Sequence, residues 1–503
     1  MRQTVQRNQS IMKATSQASK TASPTTSQAS KTASPTTSTR KYYSVKPLVI
    51  SAYALMFGLI GMLLPAESFG QTGDQVSESA ILPMKERAKV IDDVLADRME
   101  TVLPDIMRRE GMDMWVIISR EYNEDPVIET MLPATWLAAR RRTILVIYDR
   151  GPEEGLETLA VARYDVGEVF KKAWDKEVEP DQWKRLKEII EERDPKTIGV
   201  NRSEHWGLAD GIVATDYEHF LENIGEDYAS RVVSAEKVAV GWLETRSAKE
   251  RDLYPHIVRI AHGIMEEAFS ERVIHPGITS TEDVIWWLRE RVRDLNLITW
   301  FHPSVSIQRA DPESFDHLRT FDSRPSEDII MPGDLLHVDF GITTTLNTDT
   351  QQHFYVLKPG ETEVPTYLVE AFERGNRLQD IFTNNFEEGR TGNEVLAMSR
   401  AQAIEEGIKP SIYTHPIGYH GHAAGTTLGM WDSQGGVPGT GDYPLHLNTA
   451  YSIELNAASY IEEWGKEIRI MLEEDAYFDE RGVWYLDGRQ KSILTIPRVA
   501  ATQ

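Results

Sequence analysis

The chain has 503 residues, with 54 Lys and Arg against 78 Asp and Glu, a net charge of −24, and no cysteine. The missing cysteine excludes a disulfide scaffold and a thiolate-ligated zinc site, and the acidic balance argues against a nucleic-acid partner. The charge is uneven, because the first seventy residues hold eight basic residues and a single acid, Glu67.

In chain order, residues 1–46 contain the eleven-residue repeat TSQASKTASPT at 15–25 and again at 26–36. Its small polar residues cannot bury a core, which predicts a disordered tail. Arg40, Lys41 and Lys46 then precede an uncharged, mostly apolar run at 48–64, followed by Pro65, Ala66 and Ser68. A basic flank, an apolar stretch and small residues predict an export signal over 47–70. The run of 17 residues lies between an h-region of ~7–15 and a membrane span of ~20, so cleavage and retention as a membrane anchor through 48–64 both fit. The expected location is periplasmic or extracellular.

Residues 77–240 alternate helical and strand signals. An amphipathic run covers 84–110, strands are predicted at 115–118, 143–148, 158–162 and 197–200, and 181–193 carries Trp183, Leu186, Ile189 and Ile190 on one helix face. This alternation predicts an α/β layer domain that serves as scaffold. A second domain, 241–503, opens with a helix at 248–269 whose Leu253, Ile257, Ile260, Ile264 and Met265 share one face. A helix at 282–296, strands at 333–341 and 351–357 around a turn, a helical region at 364–386, and strands at 451–456 and 468–477 follow.

The chemistry concentrates in that second domain. Asp339 and Asp349 flank the Thr/Asn-rich turn of LLHVDFGITTTLNTDTQQHFYVL, and acids beside apolar strand residues are unusual. If the two strands pair, both carboxylates reach one point, a geometry suited to divalent cations. YTHPIGYHGHAAG then places His415, His420 and His422 among glycines, and neutral imidazole is a common metal ligand. Glu454 in AYSIELN, and Glu473, Glu474 and Asp475 in IRIMLEEDAYF, again interrupt apolar strand patterns. Buried carboxylates are costly unless paired or metal-bound, so this ordered set points to a metal site.

The order Asp, Asp, His, Glu, Glu resembles the creatinase/aminopeptidase P/methionine aminopeptidase family (M24) of pita-bread metallopeptidases. The resemblance implies a creatinase-type N-terminal α/β domain followed by an α+β pita-bread catalytic domain. It implies two divalent cations, manganese with zinc or cobalt as alternatives, with Asp339 on one metal, Asp349 and Glu473 bridging, and His422 and Glu454 on the other. His422 is chosen because GHAAG matches the family's His-x-x-Gly, with His420 as the alternative. Catalytic roles then fall to Glu454 as proton carrier, to His317 at the substrate carbonyl, and to His415 beside the substrate. The family's second histidine and following acid are matched here to Met430, Trp431 and Asp432, and the family's EPG reads ELN at Glu454. The implied activity is hydrolysis of the N-terminal bond of Xaa-Pro peptides or dipeptides by a homodimer. Two alternatives are the same metal site acting on a non-proline amide, ester or phosphoester, and a noncatalytic peptide-binding member.

Overall fold

The computed structural model describes residues 81–310 and 328–498. The chain divides into two units, Met1–Glu67 and Ser68–Gln503, and every described residue belongs to the second. The repeat, the apolar run at 48–64 and His317 lie outside the described residues.

The amphipathic run at 84–110 forms two helices rather than one, Met84–Thr101 and Leu103–Arg109. Pro104 stands at the start of the second, where its missing N–H is tolerated, although it cannot continue the ladder of the first. Next comes a mixed six-stranded sheet of β1 (Met114–Arg120), β2 (Arg142–Asp149), β3 (Leu156–Ala160), β4 (Lys171–Lys172), β5 (Ile198–Val200) and β6 (Val232–Ser234), in the order β4-β3-β2-β1-β5-β6. Alternation decides its faces. Met114, Val116 and Ile118 pack with helices Gln182–Arg193 and Ala214–Ile224, whereas Trp115 and Ile117 pack with helices Leu103–Arg109 and Glu236–Glu244. Both faces are covered, which is why these strands read as unbroken apolar runs.

A capping box starts helix Ala248–Ala268, with Ser247 and Glu250 satisfying each other's backbone N–H groups, and Ser280 with Asp283 starts Thr281–Asp294 in the same way. These two helices cover a sheet of β7 (Ser304–Gln308), β8 (Leu335–Phe340), β9 (Thr350–Val356) and β17 (Leu494–Ile496), in the order β17-β9-β8-β7. Helices Thr366–Thr383 and Gly392–Glu405 cover a second sheet of β10 (Lys409–Ile412), β13 (Leu455–Ile461) and β14 (Lys466–Leu472), in the order β10-β13-β14. A third joins β11 (His415–Pro416), β12 (Thr449–Ser452), β15 (Asp475–Asp479) and β16 (Gly482–Tyr485).

The last two sheets exchange chain. The runs read as single strands at 451–456 and 468–477 are each broken, at Ile453–Glu454 between β12 and β13 and at Glu473–Glu474 between β14 and β15. The acids therefore stand at the sheet-to-sheet crossings, not in strand interiors. An isolated bridge between Gln351 and Glu473 adds the first sheet of this half to the same seam.

Candidate metal centre

Asp339 on β8 faces Gln351 of β9 in register, and Asp349 is two residues before Gln351, on the same face of the strand direction. The turn between the aspartates is held by Trp300, whose indole Nε1 donates to Thr348 O at 2.9 Å. That indole lies where only glycine fits: a Cβ on Gly341 would fall 2.4 Å from Nε1, and one on Gly421 2.3 Å from the ring.

Three overlapping groups of side chains converge here, the donor atoms within each lying within 4.8 Å of one another: Asp339, Asp349 and Glu473; His415, Glu454 and Glu473; and Asp349, His415 and His422. Asp349, His415 and Glu473 are buried, Asp339 and Glu454 half-buried, and His422 exposed. Burial first, then the neighbouring carboxylates, push Asp349 and Glu454 well above the ordinary carboxylate range, and burial with Asp339 pushes Glu473 up to about 8. Such crowding of like charge is relieved by a cation.

His415 is prepared to meet one. Its Nδ1 lies 3.0 Å from Pro416 O, an acceptor, so Nδ1 carries the proton and Nε2 presents a lone pair. That Nε2 is 3.8 Å from both Asp349 Oδ2 and Glu473 Oε1. Burial, reinforced by His422, pulls the His415 pKa down to about 3, so the ring is neutral. Both His415 Nε2 and Asp349 Oδ1 are buried without a hydrogen-bond partner. Four carboxylates and one neutral imidazole with inward-facing donors fit divalent cations.

Surrounding groups fix these side chains. Thr414 Oγ1 accepts from Glu454 N at 3.1 Å and donates to Glu454 O at 3.0 Å. Ser452 Oγ donates to Glu473 Oε1 at 2.5 Å, and Asp475 Oδ2 accepts from Asp349 N at 3.2 Å. Sequence reasoning missed Gln351, Ser452 and Thr414. Gln351 alone left a signal, since it follows Asp349 by two residues in a predicted strand.

The structure separates the histidines. His415 joins Glu454 and Glu473, while His422 packs edge-on against it with ring centroids 4.7 Å apart and reaches only the group with Asp349. His420 joins none of the groups; with Tyr419 it lines a cavity of about 220 Å³ between Leu95, Leu253 and Leu346. Trp431, matched in sequence to the second-histidine position, is 54% exposed in a turn and belongs to none of the converging groups. Glu474 turns away from the centre, to His262 Nε2 at 2.7 Å and Gln352 Nε2 at 3.1 Å.

The model of metallopeptidase family M24 matches residues 254–477, which contain all six residues of the three converging groups. The chain carries a family M24 metallopeptidase domain. Its fold is similar to that of the X-Pro aminopeptidase from Thermotoga maritima MSB8, at 18% identity and a TM-score of 0.56, covering 78% of this chain and 99% of that one. It is also similar to the Xaa-Pro dipeptidase from Bacillus anthracis, at 16% identity and a TM-score of 0.54, covering 82% of this chain and 100% of that one. No curated protein matches the sequence. The M24 enzyme thus has the mixed α/β, pita-bread architecture, and it is a metal-dependent peptidase of a divalent-metal family. Among the described residues no helix is long and apolar enough to cross a membrane.

Proposed function

We propose that the M24 enzyme is a dinuclear exopeptidase that hydrolyses the N-terminal bond of Xaa-Pro peptides or dipeptides. The observation that supports this is the convergence of Asp339, Asp349, His415, Glu454 and Glu473 in overlapping groups that share Asp349, His415 and Glu473. Asp349 and Glu473 serve as the bridging ligands: both group with Asp339, Asp349 also groups with His415 and His422, and Glu473 also groups with His415 and Glu454. His415 serves as the imidazole ligand and His422 works on the substrate side, the reverse of the roles the sequence resemblance implied; the burial of His415 among the acids and the exposure of His422 support this assignment. His317 keeps its proposed role at the substrate carbonyl.

Two cations in this set, when bound, supply Lewis acidity and a water activated at neutral pH. The remaining work belongs to the chain. Glu454, its backbone fixed by Thr414, accepts a proton from the attacking water and delivers it to the departing amine. His422 and Tyr413, whose rings lie 6.1 Å apart, flank the open side where a peptide enters. The oxygen-rich donor set suits manganese, with zinc and cobalt as alternatives. A domain boundary near 240, export through 47–70 and a homodimer complete the proposal.

Incubating the full chain with manganese and a mixed peptide library, followed by mass spectrometry, tests it. Loss of single residues ahead of proline, or cleavage confined to Xaa-Pro dipeptides, is the expected result. Cleavage indifferent to proline would overturn the specificity, and a chain that neither binds metal nor cuts peptides would overturn the whole reading.

A further inference from the structure

Gln351 belongs to none of the converging metal-ligand groups, yet its side chain touches two of their members. The amide Nε2 is 2.6 Å from Glu473 Oε2 and 2.9 Å from Glu454 Oε1, and Oε1 is 2.8 Å from His337 Nε2. When they hold a cation the two glutamates are ionised and only accept hydrogen bonds, so the NH2 end must face them. Oε1 must then accept from His337 Nε2–H. Ser306 Oγ, 3.4 Å from His337 Nδ1, stands on the far side of that ring. One orientation of the amide satisfies all three neighbours, and the reversed one would set an oxygen against two carboxylates.

The two glutamates come from different places in the chain, one at the crossing between β12 and β13 and the other at the crossing between β14 and β15. A single planar amide donating to both fixes the distance between them and the direction of their remaining lone pairs. We infer that Gln351 is a positioning residue that presets Glu454 and Glu473 for cation binding, with His337 locking its amide. The inference rests on the metallopeptidase reading above. It concerns the side chain alone, because the backbone bridge (Gln351 N to Glu473 O at 2.9 Å, Glu473 N to Gln351 O at 3.2 Å) survives substitution.

The test is calorimetric titration of manganese into the full chain after chelator treatment, for the native protein, Gln351→Met and Gln351→Glu. Methionine keeps the length and removes the donors; glutamate keeps the shape and replaces donors by acceptors. Both variants are expected to bind manganese about 10- to 100-fold more weakly, the usual cost of losing a group that orients metal ligands. For Gln351→Met the unfolding midpoint of the metal-free protein is expected to stay near native. Native-like affinity in Gln351→Met, with or without a lowered midpoint, overturns the inference, and if that variant fails to fold, native-like affinity in Gln351→Glu does the same. A native protein that takes up two cations while the variants match it removes only this inference. A native protein that takes up none removes the metallopeptidase reading together with it.

Discussion

His415 holds Nε2 3.8 Å from Asp349 Oδ2, and the exposed His422, edge-on to the His415 ring, converges with it on the same aspartate. The six residues between the histidines fold so that one ring is buried against the acids and the other remains open to solvent. Two substitutions separate their roles. His415→Ala is expected to lose one manganese by elemental analysis and nearly all peptidase activity. His422→Ala is expected to keep the metal content and lower kcat. The opposite pattern would return the ligand role to His422.

Asp349 touches both groups of carboxylate and imidazole donors, so its charge serves the whole centre. Asp349→Asn should lose one bound cation and most activity while the metal-free fold persists, because removing one of several mutually repelling carboxylates relieves strain in the metal-free state. Unchanged stoichiometry and rate would exclude Asp349 as a bridging group.

The buried Arg98–Glu250–Arg246 cluster joins helix Met84–Thr101 to the loop that carries the histidines. Arg98 and Arg246 both reach Glu250, at 2.5 and 2.9 Å, and both guanidinium groups face the ring of Tyr419. Glu250→Gln leaves two buried cations without their counter-charge and should cost about 3–5 kcal/mol. Urea unfolding of the metal-free chain measures it, and a loss below about 1 kcal/mol, the range of exposed pairs, would show the cluster to be solvent-screened.

Gly421 gives the Trp300 indole its space. Gly421→Ala should destabilise by about 1–3 kcal/mol through overpacking. In a Trp300→Ala background the same change should be nearly neutral, because the clash partner is gone. Equal costs in both backgrounds would place the strain elsewhere.

His262 lies between Glu474 and Asp487, at 2.7 and 3.1 Å. Burial alone would lower its pKa, but the two carboxylates outweigh burial and push it up to about 10. The unfolded value is about 6.5, so its stabilisation is complete below about pH 6.5 and is lost as pH rises towards the folded value. Native protein should therefore lose more stability between pH 6.5 and 10 than His262→Gln, read from urea midpoints at each pH. Parallel slopes would sink the assignment.

The sequence by itself determined much of this protein. The short unbroken apolar run at 115–118 announced a strand, the one-face spacing of Leu253, Ile257, Ile260, Ile264 and Met265 announced a helix, and apolar runs interrupted by Asp339, Asp349, Glu454 and Glu473 announced acids that folding would have to accommodate. These are local signals, carried by residues within a few positions of each other. Tertiary structure alone decided the rest. The glutamates turned out to lie at chain crossings between sheets, because a period-two pattern runs unchanged through a bend that only the pairing partners impose. Which histidine faces the acids depends on how a glycine-rich loop closes around Trp300, an indole more than a hundred residues earlier in the chain, and glycines admit too many backbone paths for spacing to choose among them. The role of Gln351 was hidden for the same reason: its partners Glu454, Glu473 and His337 meet it only after three strands and two crossings have come together.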